Sequence, residues 1–419
     1  MSPEKLDRTP WHPTDPPMRI AYLSGPADAP KSYREWLDNT QSFFGTDYVR
    51  QFFQYATDLD ADSYIVTWRN APRDKLVADR FIFENIPPSE RAGLMFYFGQ
   101  ILWNFSVGLK MLRFRPDIVV LTGNQLFWWT LFPLSLAGAR FLPSFHGVLW
   151  PKLRRQSRIS KYLQKLNQLL IMRSCRAVVV TSGDIARQVR SIYPVGPMFH
   201  HLPSYLPAQF ASIPQATWGR PFRTIMVGRV ERNKGIFDVL SVAAELERRT
   251  PAAYHFDICG IGTALEQARA SAPPNVTFHG FCEQRELAAI MGRAHISIVP
   301  TRTDFEAGFE MTCAEAILAD RPLITSAVCP ALEYLQPASI EVTPDDPQAY
   351  LDAVLSLGEN IDLFEQKRAA CGPLKAQFFD QANSWYVAMR NATTLILSDT
   401  SVSNADGLNS SIAQGSALR

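Results

Sequence analysis

The sequence lacks an excess of either charge: 42 Lys and Arg stand against 40 Asp and Glu in 419 residues. Without a basic surplus, no nucleic-acid partner is expected. It also lacks paired cysteines. Cys175, Cys259, Cys282, Cys313, Cys329 and Cys371 are scattered with no C-x-x-C, which argues against a structural zinc site and a secreted disulfide framework. Long apolar runs are missing too. Phe96–Phe114 is broken by Asn104 and Lys110, and Leu126–Leu142 by Pro133, so neither offers the ~20 clean residues of a spanning helix. Residues 1–17 hold five prolines and no apolar h-region. They read as a disordered arm rather than a signal peptide, and a cytoplasmic location is expected.

What is present is alternation. Short apolar runs recur at Met18–Gly25, Ser63–Trp68, Asp117–Gly123 and Ala177–Ser182, and again at Thr224–Val230, Phe256–Gly262, Val276–Phe281, Ile296–Pro300 and Leu323–Val328. Such near-continuous runs read as strands covered on both faces. The intervening stretches, such as Phe237–Arg249 and Glu283–Arg293, are long enough for crossover helices. The expected class is α/β, with two Rossmann-like domains of parallel sheet facing each other across a cleft. A proline-marked break at Pro203–Pro221 sets the expected domains at 18–205 and 206–374. A helix over Lys375–Leu397 is expected to cross back to the first domain, followed by a disordered tail at 398–419.

Two segments carry chemistry. In Val227–Gly235, Arg229 follows a strand and Lys234 precedes a helix, with Gly235 between. A cation at a helix N-terminus is unfavourable unless an anion is shared with the helix amides. Arg229 as a fork and Lys234 as a point charge suit a diphosphate; an ordinary charged loop containing Glu231 and Arg232 is the plainer alternative. In Phe305–Pro322, a loop with Gly308 leads into a helix near Met311. Its first amides can hold phosphate oxygens. Glu315, one turn in, can accept from both hydroxyls of a ribose and is helped to stay ionised by the helix N-terminus. Its apolar neighbours make the helix look buried, so a partnerless glutamate there is costly.

In this order, about eighty residues apart, these segments resemble the donor domain of the GT-B glycosyltransferases, in particular the retaining family four (glycosyl transferases group 1). Ile258–Gly262 and Asn275–Gly280 resemble that family's glycine-marked strand ends. The likeness is close over Arg223–Val342 and loose over the first half. It implies a nucleotide-diphosphate sugar as co-substrate, no further cofactor, and no metal. It implies Arg229 and Lys234 on the donor diphosphate, Glu315 on the ribose, and donor contacts from Gly308, Phe309, Glu310, Met311 and Thr312. The family places a sugar-contacting glutamate eight positions before the ribose glutamate. Here that position is Ala307, and Glu306 is the expected substitute, with Glu310 next. In the first half, Ser144–Gly147 resembles the segment carrying the family's cleft-facing histidine, giving His146 a catalytic role. The glycine-rich loop after the first strand is reduced to Gly25.

Asp58, Asp60 and Asp62 sit in an Asp-favoured turn and make a weak metal motif. Residues 151–176 hold eight basic residues and no acidic one, with Leu163, Leu166 and Leu170 on one helical face. That pattern suits peripheral contact with an anionic membrane or a lipid-linked acceptor, or equally a packed helix with a solvated basic side. The expected function is retaining transfer of a sugar to a glycan or lipid-linked acceptor, in surface polysaccharide or glycoconjugate synthesis. A nucleotide-sugar-binding paralogue that does not transfer, and an epimerase or hydrolase on the same architecture, are the alternatives.

Overall fold

A computed structural model describes residues 17–40, 47–88, 93–123 and 125–398. The expected arm at 1–17 and tail at 398–419 lie, all but their inner residues, outside the described residues. The first sheet has eight strands: β1 (Arg19–Leu23), β2 (Asp62–Thr67), β3 (Asp74–Ala78), β4 (Phe81–Asn85), β5 (Ile118–Leu121), β6 (Arg140–Phe145), β7 (Val178–Val180) and β8 (Met198–His200). Their order is β3-β4-β2-β1-β5-β6-β7-β8, parallel except for the β3–β4 pair. The second sheet is wholly parallel. It holds β9 (Phe222–Val227), β10 (Tyr254–Cys259), β11 (Val276–Gly280), β12 (Ile296–Val299), β13 (Leu323–Ser326) and β14 (Ser339–Val342), in the order β11-β10-β9-β12-β13-β14.

Helices cover both faces of each sheet. On the first, α1 (Ala29–Leu37) and α2 (Tyr48–Asp58) pack on one face. The other face carries α3 (Leu94–Phe114) and α4 (Phe132–Leu136), then α5 (Arg158–Leu170), which packs on the turn 125–131 and on α6, and α6 (Gly183–Ile192) itself. The second sheet is covered by α7 (Ile236–Arg249), α8 (Leu265–Ala270), α9 (Gln284–Arg293), α10 (Met311–Leu318), α11 (Leu332–Leu335), α12 (Pro347–Glu359) and α13 (Ile361–Ala369). Because both faces are buried, the strands read as apolar runs. Val119 and Val120, adjacent on β5, serve opposite cores, and each fully buried side chain of this size contributes about 1.5–3 kcal/mol.

The helix expected over 375–397 is interrupted. Short helices α14 (Cys371–Leu374) and α15 (Ala376–Phe379) end at Asp380, whose backbone is extended and whose carboxylate accepts from the Ala382 amide. Asp and Ser hydrogen-bond local backbone in this way and stop helices. The chain re-enters a helix, α16, at 385–398, after Ser384. This helix packs on the first domain. Trp385, Met389, Ala392 and Ile396 join a core with Ile20, Tyr22 and Phe52, and the Tyr55 hydroxyl meets Thr393 Oγ1 at 2.7 Å.

In each sheet the strand order reverses once, between β1 and β5 and between β9 and β12. Loops leaving the carboxyl ends of strands beside such a reversal form the crevice where open α/β sheets bind ligands.

Candidate active site

The loop after β9 carries Arg229 and Lys234, and the loop after β12 leads through Glu306 to α10. The two segments that the sequence singles out therefore flank the same reversal. Gly235 makes the first loop possible. Its φ is +79°, and a Cβ there would lie 2.1 Å from the Pro300 carbonyl oxygen, so glycine is needed for the turn into α7.

The loops meet through side chains. The Lys234 ammonium donates to both carboxylate oxygens of Glu310, at 2.7 and 2.8 Å. It also stands 3.9 Å above the centre of the Phe305 ring, over which Arg229 lies at 5.5 Å. Arg229 is more open and pairs with Glu231 at 2.8 Å. Glu310 occupies the N-cap of α10 in the left-handed conformation (φ 60°, ψ 74°), and no side chain caps the helix. The result is two cations, a π face and uncapped helix amides on one side of the second domain.

One turn into α10, Glu315 is buried at 5% exposure. Tyr205, from the connection between the sheets, donates to its Oε1 at 3.4 Å. Burial pushes the Glu315 carboxyl up to about 7, and the tyrosine hydrogen bond only partly opposes this. Any help that the helix N-terminus gives the ionised form is opposed here by desolvation.

Across the cleft, His146 follows β6. The Trp385 indole donates to Ser144 Oγ at 2.8 Å, and Ser144 Oγ lies 3.1 Å from His146 Nε2. The serine hydroxyl can either donate to Nε2 or accept from it, according to the ring's tautomer, and the second ring nitrogen is Nδ1. That nitrogen is buried and has no partner among the described residues. Burial lowers the imidazole to about 3, so the ring is neutral. Tyr48 lies against it at 4.2 Å between ring centroids and His201 at 5.4 Å. Neither was singled out in the sequence. His201 stands beside His200 at the end of a three-residue strand whose apolar pattern is too short to register.

The domains touch by backbone at this point. Gly147 and Gly308 form an antiparallel bridge, and the Val148 amide donates to the Ala307 carbonyl at 3.0 Å. Ala307 is buried at 1% exposure in this contact. Glu306 is exposed beside it. Phe309 is buried against Tyr334 and Phe378, so its side chain belongs to the core; Met311 and Thr312 are half-buried at the start of α10. Gly25 is partly open after β1, with nothing within 4 Å of a Cβ built there. Asp60 and Asp62 both face Arg80, and Asp58 accepts from Gln54 and the Tyr386 hydroxyl.

The sequence model of the Glycosyl transferases group 1 family matches residues 221–360, and that of Glycosyltransferase Family 4 matches residues 46–200. Together they take in both sheets. The chain belongs to the GT-B glycosyltransferases.

Solved structures share the fold of this glycosyltransferase. Sucrose-phosphate synthase from Thermosynechococcus elongatus superposes with a TM-score of 0.66 at 15% identity, covering 92% of this chain and 100% of the other. The trehalose 6-phosphate synthase of Burkholderia multivorans gives 0.66 at 11%, covering 92% and 99%. Anabaena HepE, solved with UDP and glucose, gives 0.61 at 12%, covering 91% and 100%. Among curated proteins, glycogen synthase of Mycobacterium tuberculosis is 32% identical over 113 residues. That match spans about a quarter, 26%, of each chain.

Proposed function

We propose that this glycosyltransferase moves a sugar from a nucleoside diphosphate sugar to a glycan or lipid-linked acceptor with retention, in surface polysaccharide or glycoconjugate synthesis. The observation that carries the reading is the meeting of Lys234, Arg229 and the uncapped start of α10 beside the strand reversal, with Glu315 one turn behind. The bond between the anomeric carbon and the diphosphate oxygen breaks, and its electron pair leaves with the diphosphate. Arg229, Lys234 and the α10 amides neutralise that charge, a preorganised electrostatic stabilisation. The acceptor hydroxyl bonds to the same face of the sugar and gives its proton to the departing phosphate oxygen.

The remaining residues take positions around this step. Glu315, ionised on binding, accepts from the ribose hydroxyls. Glu306 reaches the sugar in place of the residue missing at Ala307. His146 hydrogen-bonds a sugar hydroxyl through its unpartnered Nδ1. The backbone bridge at Gly308 holds the domains together, and closure of this kind keeps water from the donor.

The deciding experiment incubates purified protein with a panel of nucleoside diphosphate sugars, with and without a lipid-linked oligosaccharide pool, in the presence and absence of EDTA. Acceptor-dependent release of nucleoside diphosphate that survives EDTA supports the reading. Release without acceptor makes the protein a hydrolase, and binding without release makes it a non-transferring paralogue. Loss with EDTA, restored by manganese, replaces the proposed basic-residue chemistry with metal chemistry.

A further inference from the structure

α3 is apolar on two sides. Its inner side buries Trp103, Val107, Met111 and Phe114 against the first sheet. Its outer side carries Met95, Phe98, Leu102, Phe105 and Leu109, at alternating spacings of three and four residues, each between 47% and 54% exposed. A helix apolar all round belongs inside a core or in contact with lipid, and here half of it is open. At 21 residues it is about 32 Å long. Among the described residues no helix is long and apolar enough to cross a membrane, so α3 would have to lie along a surface.

Acidic residues are few in this part of the chain, although Lys110 of α3 pairs with Glu84. No Asp or Glu occurs between Asp117 and Asp184, and α3 itself contains none. α5 exposes Arg158, Lys161 and Lys165 together with Ile159, Tyr162 and Leu169. Both helices clasp the same short turn, Gln125–Leu131. Asn167 of α5 accepts from the Trp129 amide at 2.8 Å and donates to the Gln125 carbonyl at 2.5 Å. On the α3 side, Tyr97 and Phe127 lie 6.3 Å apart between ring centroids. The apolar ridge and the basic helix are thus held by one structural block.

We propose that the outer side of α3 and the basic side of α5 form one docking face for an anionic lipid bilayer, with α3 lying in the interface and α5 facing the headgroups. Exposed Phe, Leu and Met beside Lys and Arg, on a helix that does not span, is the pattern of interfacial binding, and each basic residue near an anionic surface adds to it. A second copy of the chain is disfavoured as occupant, because two acid-free basic helices would then face each other. A nucleic acid would gain nothing from the apolar ridge. This face extends the basic segment 151–176 and does not depend on the transfer reading.

The test is flotation of the full chain with vesicles of phosphatidylcholine alone and of phosphatidylcholine mixed with phosphatidylglycerol. Phe98→Ser with Phe105→Ser, and Arg158→Glu with Lys161→Glu, are compared with the unaltered chain. All four side chains are exposed, and thermal melts confirm that the variants fold. Binding to the anionic vesicles should fall at least about tenfold in each double variant and weaken at high ionic strength. UDP affinity in the same samples should not change, which separates this face from the donor site. Equal binding to both vesicle types, no binding, or unchanged binding by either variant overturns the proposal. So does a concentration-dependent dimer that Phe98→Ser with Phe105→Ser dissolves while vesicles are left unbound.

Discussion

Glu310 holds Lys234 through both carboxylate oxygens, although 76 positions separate the two residues. Both side chains are largely shielded, at 9% and 14% exposure. The glutamate supplies the negative charge that a lysine beside a helix N-terminus requires, and a bound diphosphate would compete for the same ammonium. Glu310→Gln should therefore tighten nucleoside diphosphate binding several-fold, measured by calorimetry. It should also lower stability by on the order of 1–3 kcal/mol, because a shielded charge loses its partner. Unchanged or weaker binding would show that Glu310 does not occupy the diphosphate position.

Arg229→Ala and Lys234→Ala should each reduce kcat/KM by roughly ten- to a hundredfold, the loss of one charge-assisted hydrogen bond at about 1.5–3 kcal/mol. The larger effect belongs to Lys234, which is the more enclosed of the two. Wild-type turnover in both variants would remove them from the donor site.

Glu315 makes the free protein sensitive to pH. Its carboxyl is raised from an ordinary 4.5 to about 7. The folded state therefore holds a proton that the unfolded state releases, and Glu315's contribution to stability declines as pH rises from about 4.5 to about 7, by on the order of 3 kcal/mol. Glu315→Gln should flatten that part of the stability profile in urea melts at several pH values. Nucleotide binding to the unaltered protein should strengthen as pH rises through 7, with proton release, and the variant should lose both the dependence and about tenfold in affinity. A pH-independent affinity in the unaltered protein would mean that the ribose does not meet this carboxylate.

Glu306→Gln separates the sugar from the nucleotide. If its carboxylate contacts the transferred sugar, kcat falls at least tenfold while the affinity for free nucleoside diphosphate stays the same. An unaltered kcat would pass the role to Glu310.

Gly308→Val addresses closure. A Cβ at Gly308 would lie 2.7 Å from the His146 carbonyl oxygen, which is backbone and cannot swing away. The bridge to Gly147 should open. The expected outcome is a fall in kcat and a rise in acceptor-independent donor hydrolysis, with little change in nucleotide affinity. A variant with unaltered kcat and coupling would show that the bridge is not required in turnover.

Much of the architecture could be read because both faces of each sheet are covered. Thr224–Met226 and Ile296–Val299 are buried on both sides and so appear as largely apolar runs. The β3–β4 hairpin could not be read. β3 is Asp-Lys-Leu-Val-Ala on an exposed edge, where nothing imposes an apolar pattern, and its turn passes through Asp79 at φ 53°. Lys234 and Glu315 could be picked out because a charge beside a helix start, or inside an apolar helix, conflicts with its surroundings. What Lys234 touches could not, since the pairing with Glu310 depends on how two loops fold together. The setting of His146 was hidden for the same reason: its partner Ser144 is local, but the indole that donates to the Ser144 hydroxyl belongs to Trp385, 241 positions from Ser144.

That indole sits at the start of α16, which completes the core begun by Ile20 and Tyr22. During synthesis on a ribosome, the domain that emerges first is therefore the domain that closes last. Domains generally fold as units in the order they are made; here the second can finish while the first still exposes the groove for α16. A nascent chain stalled before residue 385 would carry one finished domain and one with an open seam, a natural station for a chaperone. Truncation to the first sheet alone would leave that seam open permanently.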